Sequence, residues 1–349
     1  MRRYTALLLT AFTLLLLVVA GSTYLVGADH KNEHVPMQQL LAYTTLPAEH
    51  AALLSEEYEK LSLVRVNFVP LSGKEILDRL QEEKDRAPEH HAALLLADRE
   101  VLQEAAAKGL LQPYISERND AVRTIFKEED GLWTGVWYDP IVFCVNRDYL
   151  KTVSPVPDSW TALAEDTTAR IGLTDFLAAD AAANLMFQMI GQYGDAAAYQ
   201  ILRGLHPQVV QYTKYLSNPV RQAGMGEVDI SIAVESEGLR YLNEGYPIQI
   251  IYPADGTAWM LTGTAVAKTA EELEKSAAEA FADWLLSDEA QLTLQSHGFY
   301  FLTTNPDTLA YKTFAGKNIV LYDHLMAFTP EQKHDFLDRW VKYVRLKNR

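Results

Sequence analysis

Residues 217–238 read SNPVRQAGMGEVDISIAVESEG, and this stretch decides the fold. The pair Asn218–Pro219 predicts the start of a short helix, because Asn is a favourable N-cap and Pro fits the first helical turn. A glycine should end the helix, and the apolar strand DISIAV then runs directly into Glu235. A strand that ends on a carboxylate directs a charged side chain at whatever lies beyond the sheet.

Strand and helix patterns alternate on both sides of this stretch. Upstream, QQLLAYTT, LVRVNFVP and HAALLLAD are typical of strands, and an amphipathic helix follows each of them. The second of these helices carries Ser72 and Glu75 at capping-box spacing. The alternation predicts βαβ units, and therefore an α/β fold with mostly parallel, doubly wound sheets.

Two of the predicted helices have well-defined apolar faces. The helix AEHAALLSEEYEKL is expected to bury Leu53, Leu54, Tyr58 and Leu61. The helix after the strand TGTAVAK is expected to bury Leu273, Ala277, Phe281, Trp284 and Leu285.

The pattern changes at DGLWTGVWYDPIVFCVN, where aromatic residues cluster and a long strand leaves the first unit. A second alternation follows, which predicts two lobes joined by two crossing strands. The first lobe is expected to comprise residues 36–130 plus 255–305, and the second residues 131–254 plus 306–349. Ligands bind beyond the carboxyl ends of parallel strands, so a cleft between the lobes should close by hinge bending. Glu235 would face this cleft or the hinge.

Composition restricts the location and the partners of the protein. The net charge is −15, from 46 acidic and 31 basic residues, which argues against nucleic acid as a partner.

Residues 1–28 join a basic start to a long apolar run, as in a secretory signal peptide or an uncleaved membrane anchor. The remaining chain is expected to work outside the cytoplasm. The single cysteine, Cys144, excludes disulfides within the chain and is predicted to be a buried strand thiol.

The sequence carries no familiar catalytic or metal motif. None of the nine histidines has metal-ligand spacing to a second His or Cys, and HExxH, GxSxG and P-loop patterns are absent. No enzyme activity, metal or cofactor is therefore expected. The candidate ligand-binding residues are polar or aromatic side chains at strand ends, helix starts and crossings: Thr44, Thr45, Ser72, Tyr138, Asp180, Ser217, Glu235, Thr257 and Trp259. Helix capping by Ser72 and core packing of the aromatic residues are the structural alternatives.

The order and spacing of QYTKYLSNPVRQAGMGEVDISIAV, GYPIQIIYPADGT and AFADWLLSDEAQ resemble the extracellular solute-binding proteins of ABC importers. The similar branch is associated with ferric iron, thiamine, phosphorylated sugars and 2-aminoethylphosphonate. The resemblance implies a type II periplasmic-binding-protein fold, a monomer, and delivery of a small polar solute to a membrane permease. A membrane-tethered ligand sensor and a secreted enzyme are the alternative functions.

Two departures from this branch bear on the solute. Iron-binding members place adjacent tyrosines after the strand that matches DISIAV, where this chain has ESEG. Phosphate-binding relatives carry Ser-Gly-Thr residues at the start of the helix that matches DAAANLMF, where this chain has Asp180 and three alanines. Together with Glu235, Asp180 favours a cationic or zwitterionic solute, such as one bearing an amine. Phosphonates, sugar phosphates and vitamins stay open.

Overall fold

The computed structural model describes residues 38–83 and 91–346 of the 349-residue chain. The proposed signal or anchor at residues 1–28 lies outside this part. Leu40–Arg349 form one unit, and the interactions described below lie within it.

The first lobe begins with the predicted alternation of strands and helices. Its elements are β1 (Gln38–Thr44), α1 (Ala48–Ser62), β2 (Val64–Pro70), α2 (Gly73–Glu83), β3 (Leu94–Asp98), α3 (Arg99–Ala107), β4 (Leu111–Gln112) and α4 (Glu117–Ala121). Strands β1 and β3 pair in parallel. A 3₁₀ turn at Thr124–Phe126 leads out of this lobe.

The second lobe repeats the alternation. Its elements are β5 (Thr134–Asn146), α5 (Arg147–Leu150), α6 (Trp160–Glu165), β6 (Ile171–Thr174), α7 (Asp180–Tyr193), α8 (Asp195–Leu205), β7 (Val209–Thr213), α9 (Ser217–Gly224), β8 (Ile230–Val234), α10 (Glu235–Asn243) and β9 (Ile248–Ile251). Strand β6 pairs in parallel with both β7 and β8.

The rest of the chain contributes to both lobes. It forms β10 (Trp259–Ala267), α11 (Glu272–Leu285), α12 (Asp288–Ser296), β11 (Leu302–Thr303), α13 (Leu309–Ala315) and α14 (Pro330–Trp340). Strand β10 returns to the first lobe antiparallel to β3, whereas Trp340 at the end of α14 packs in the core of the second.

Two crossings join the lobes, as predicted. The first is β5 itself, whose residues 134–140 pair with β10 and whose residues 141–146 pair with β8 and β9. The second is the segment 252–258 between β9 and β10. The two crossings are hydrogen-bonded to each other. The Ile141 N–H donates to the Ala258 carbonyl at 2.8 Å, and the Thr257 hydroxyl donates to the Ile141 carbonyl at 2.6 Å. The strand order is therefore continuous: β2-β1-β3-β10-β5-β8-β6-β7.

Each lobe has a separate apolar core, and this confirms a two-lobed α/β fold. One core gathers around Leu94, Leu96 and Phe281, and the other around Met186 and Trp340. A smaller cluster lies under α10 and contains Cys144, which is fully buried and free, as predicted.

Three local predictions were wrong. Leu61 and Leu273 are 53% and 71% exposed, because each lies in a terminal turn of its helix, beyond the reach of the core. Helix α9 begins at Ser217 with Leu216 as N-cap, so Asn218 lies inside the first turn. Pro219 then takes the third helical position, where its missing N–H removes no intrahelical bond.

Candidate functional site

Glu235 begins α10 directly after the buried strand β8, next to both crossings. Its side chain is fully buried. The Tyr252 hydroxyl, on the second crossing, donates a short hydrogen bond to Oε1 of Glu235. Its other oxygen, Oε2, is buried and has no hydrogen-bond partner among the residues that the structure describes. Burial raises the pKa of the Glu235 carboxyl to about 7, and the nearby Asp139 charge acts in the same direction.

Asp139 is a second buried acid, placed in β5 where this strand passes from one lobe to the other. It accepts the backbone N–H of Ser236 at 3.0 Å on Oδ1 and the Ser236 hydroxyl at 2.6 Å on Oδ2. Burial raises the pKa of Asp139 to about 7, although the bonds from Ser236 oppose this shift. The first turn of α10 is thus capped by a crossing strand.

Tyrosines and one lysine surround these two acids. The Lys317 Nζ lies 3.4 Å from the Tyr252 hydroxyl oxygen and 5.6 Å from the centre of its ring. Tyr138 stacks on Phe126 with ring centres 4.9 Å apart. Burial raises the pKa of Tyr138, and the negative charge of Glu235 adds to the effect. A buried carboxylate edged by phenols suits a positively charged ligand group.

Asp98 and Asp180 are acidic residues of opposite lobes whose charges interact. Asp98 ends β3 in the first lobe, and its backbone N–H donates to the Thr45 hydroxyl oxygen at 3.1 Å. Asp180 begins α7 in the second lobe. Surrounding protein atoms raise the pKa of Asp98 to about 6, with the charges of Glu100 and Asp180 adding to the shift. The like charge of Asp180 in the second lobe therefore acts on Asp98 in the first.

Arg99 lies beside this acidic pair. It is the first residue of α3, and its guanidinium carbon is 4.7 Å from the centre of the Trp259 ring. Gln188 of α7 holds the backbone of Trp259. Its Oε1 accepts the Trp259 N–H at 3.0 Å, and its Nε2 donates to the Trp259 carbonyl at 2.6 Å. The indole N–H of Trp259 donates to the Tyr322 carbonyl at 2.9 Å.

A groove of about 540 Å³ opens between the lobes alongside α10. Residues from both lobes line it: Glu49, His50, Leu53, His297, Gly298, Phe299 and Tyr300 from the first, and Arg240, Asn243 and Glu244 from the second. His50 packs on Phe299 with ring centres 4.2 Å apart, and burial lowers the pKa of its imidazole. The volume is within the range of small-molecule sites.

The family model of bacterial extracellular solute-binding proteins matches residues 47–300. The chain belongs to this family. An uncharacterized protein of Haemophilus influenzae is 28% identical over 254 residues, which cover 70% of this chain and 73% of that protein.

Solved structures share the fold of this solute-binding protein. A periplasmic binding protein, AfuA, from Actinobacillus pleuropneumoniae, solved with bound fructose-6-phosphate, is 22% identical with a TM-score of 0.67, over 88% of this chain and 99% of that one. A ferric binding protein of Bordetella is 21% identical with a TM-score of 0.70, over 86% and 98%. These likenesses identify a periplasmic-binding-protein fold.

The candidate residues of this solute-binding protein fall into separate groups. At the crossings the charge of Glu235 acts on Tyr138, whereas Thr45 bonds to Asp98 and the charge of Asp180 acts on Asp98. Ser217 starts α9 at the edge of the second lobe. Three candidates have their polar groups bonded within the protein interior: Thr44, Thr257 and Trp259. Ser72 forms the predicted capping box, since Glu75 Oε2 accepts both its N–H and its hydroxyl at 2.9 and 2.7 Å.

Sequence reasoning missed five polar residues of the site: Asp98, Arg99, Asp139, Tyr252 and Lys317. The rule that placed Glu235 at a strand end applies equally to Asp98, which ends β3, and to Arg99, which follows it. Asp139 also had a signal, because it is a lone acid within a fully buried strand. Lys317 lies in an irregular segment, and only the tertiary fold brings it to Tyr252.

Neither a membrane span nor a metal centre is found in the part of the chain that the structure describes. No helix within residues 38–83 and 91–346 is both long and apolar enough to cross a bilayer. In the same residues, no three His, Cys, Asp or Glu side chains are placed to hold a metal ion.

Proposed function

We propose that this protein is the extracytoplasmic receptor of an ABC importer. It captures a small polar solute with a positively charged amine between its lobes, closes over it by hinge bending, and delivers it to a membrane permease. The observation that carries the amine assignment is the buried Oε2 of Glu235, which has no hydrogen-bond partner within residues 38–83 and 91–346.

An ammonium group would satisfy this oxygen. A buried carboxylate without a full set of hydrogen bonds is costly, and the protein responds by raising its pKa to about 7. A solute ammonium that donates to Oε2 would stabilise the ionised carboxylate and lower its pKa again. Binding near pH 7 should therefore release protons from Glu235, and affinity should fall as the pH drops below 7.

The acidic pair Asp98 and Asp180 supports a coupling between solute charge and hinge closure. Repulsion between these carboxylates opposes the approach of the two lobes, since the charge of Asp180 already disfavours ionisation of Asp98. A cationic solute group would reduce this repulsion most in the closed state. A ligand shifts an equilibrium only by its differential affinity for the two states, and this charge effect supplies such a difference.

The candidate residues take two roles in this proposal. Thr45, Tyr138, Asp180, Ser217 and Glu235 contact the solute, whereas Thr44, Ser72, Thr257 and Trp259 hold the loops and crossings that present them. Lobe boundaries at 36–130 plus 255–305 and at 131–254 plus 306–349 are part of the same proposal. Residues 1–28 would direct export, either as a cleaved signal or as a retained anchor.

Calorimetric titration of amines, zwitterions, phosphate esters and vitamins tests this assignment. Glu235→Gln should weaken binding of the best amine by about 10- to 100-fold, because it removes one charge-assisted hydrogen bond. Glu237→Gln is the matched control, since Glu237 lies two residues along α10 and pairs with Arg240 on the surface. Tight binding of simple phosphate esters, with no binding of amines, would contradict the amine assignment.

A further inference from the structure

Arg99 has a buried guanidinium that the protein does not fully satisfy. The residue is only 6% exposed, and in the described part of the chain its buried Nη1 has no hydrogen-bond partner. Its Nη2 lies 3.5 Å from Oε1 of Glu100, whose side chain is 48% exposed. A guanidinium carries five N–H donors and no acceptor, so a buried nitrogen without a partner is costly unless a ligand supplies the acceptor.

The position of this guanidinium is fixed before any ligand arrives. It stacks on Trp259, and Trp259 is itself held by Gln188 and Tyr322 at three polar atoms. Stacking covers one face of the planar group and leaves its N–H edge as the site for bonds. A rigid, planar edge of this kind matches the oxygen pair of a carboxylate or a phosphonate.

Arg99 also lies where a solute would be. It follows the carboxyl end of β3 as the first residue of α3, a nine-residue helix. Its neighbour Asp98 is close enough to the other lobe for the charge of Asp180 to act on it. Backbone N–H groups of the first helical turn add positive potential there.

We propose that Arg99 is the anion-recognition residue of the cleft and binds a carboxylate or phosphonate oxygen of the solute. The inference rests on the proposed function and specifies the solute class. The solute is a zwitterion whose ammonium meets the acidic side chains and whose anionic group meets Arg99. Trp259 then acts through Arg99, as a positioning residue that does not touch the solute.

Calorimetry with matched probes tests this proposal on the full-length protein. Each zwitterion is compared with the same molecule lacking its anionic group: 2-aminoethylphosphonate and 3-aminopropanoate with ethylamine, and phosphoethanolamine with ethanolamine. For wild-type protein, at least one zwitterion should bind about 10- to 100-fold more tightly than its partner probe. The anionic group of the solute is identified by the probe with the largest gain in affinity, whether phosphonate, phosphate or carboxylate.

Variants separate recognition from a merely structural role. Arg99→Gln should remove the advantage of the zwitterion and leave the affinity for the amine-only probe unchanged, whereas Arg99→Lys should retain part of the advantage. Arg339→Gln is the control, because Arg339 also lies over an aromatic ring, 5.3 Å from the centre of Tyr199, but on the surface of the second lobe. If Arg99 had only a structural role, Arg99→Gln would instead weaken the binding of all probes equally.

Three results would overturn the proposal: zwitterions that bind no more tightly than the amines, an unchanged zwitterion advantage in Arg99→Gln, or no binding by any zwitterion. Amine binding that depends on Glu235 but not on Arg99 would leave the proposed function intact and reject only this inference. Failure of every solute in the wider titration set would reject both.

Discussion

Asp139, in the strand that joins the lobes, accepts the backbone N–H of Ser236, the second residue of α10, at 3.0 Å. The N-cap of this helix, Val234, offers no side-chain acceptor, so an acid distant in sequence caps the helix instead. The bond ties the candidate ligand site at Glu235 directly to the crossing strand β5.

Removal of this cap should destabilise the protein. Asp139→Ala leaves the Ser236 N–H without its acceptor, and we expect the free energy of unfolding to fall by about 1–2 kcal/mol. Urea denaturation measures the change. Asp148→Ala is the control, because Asp148 is an exposed acid paired with Lys151, and it should shift stability by no more than about 0.5 kcal/mol. Equal stability of the two variants would mean that Asp139 does not cap α10.

The two buried acids predict how stability depends on pH. Both carboxyls have pKa values near 7 in the folded protein, against 4.5 for Glu235 and 3.8 for Asp139 as ordinary values. Between pH about 4 and 7 the folded state thus holds protons that the unfolded state has lost. The free energy of unfolding should therefore fall as the pH rises through this window, and these groups should add no further slope above it.

Glu235→Gln isolates one of the two contributions. From pH 4.5 to 7.5, the free energy of unfolding should fall by about 1–3 kcal/mol less in this variant than in wild-type protein. Glu227→Gln changes an exposed acid between α9 and β8 and should keep the wild-type slope. Tyr138, Tyr252 and Lys317 also lie near Glu235, and burial raises the pKa of both phenols, so the phenols stay neutral throughout this window. A wild-type slope in Glu235→Gln would show that this carboxyl titrates normally.

Gly238 of α10 packs directly on the buried thiol. A Cβ at this position would lie 2.8 Å from Sγ of Cys144 and 3.3 Å from Cδ1 of Ile250. Gly238→Ala should therefore destabilise the protein by about 1–3 kcal/mol through overpacking, despite the higher helix propensity of Ala. Cys144→Ala removes the clashing sulfur, so the double variant should lose less stability than the sum of the two single variants. Strict additivity in denaturant unfolding would rule out this contact.

Much of the architecture was predictable from sequence, because period and turn signals are local. The Ser72 and Glu75 capping box and the strand end at Glu235 formed as predicted, and the two crossings followed from a change in pattern at residues 130–146. The exposure of Leu61 and Leu273 was not predictable from periodicity, because the sequence does not show where the core that covers each helix ends.

The site was only partly predictable, because its polar contacts join residues far apart in the chain. The bond from Tyr252 to Glu235, the cap from Asp139 to Ser236 and the stacking of Arg99 on Trp259 all depend on the crossings. Strand-end rules give the position of such residues but not their partners. The unsatisfied atoms of Glu235 and Arg99 are visible only in three dimensions.

Small-angle scattering with and without solute tests the central claim most directly. The account predicts that the tightest-binding zwitterion of the probe set reduces the radius of gyration of wild-type protein as the lobes close. Glu235→Gln should need a correspondingly higher solute concentration for the same change. A scattering curve that stays unchanged while calorimetry shows the site saturated would contradict closure of the two lobes over the solute.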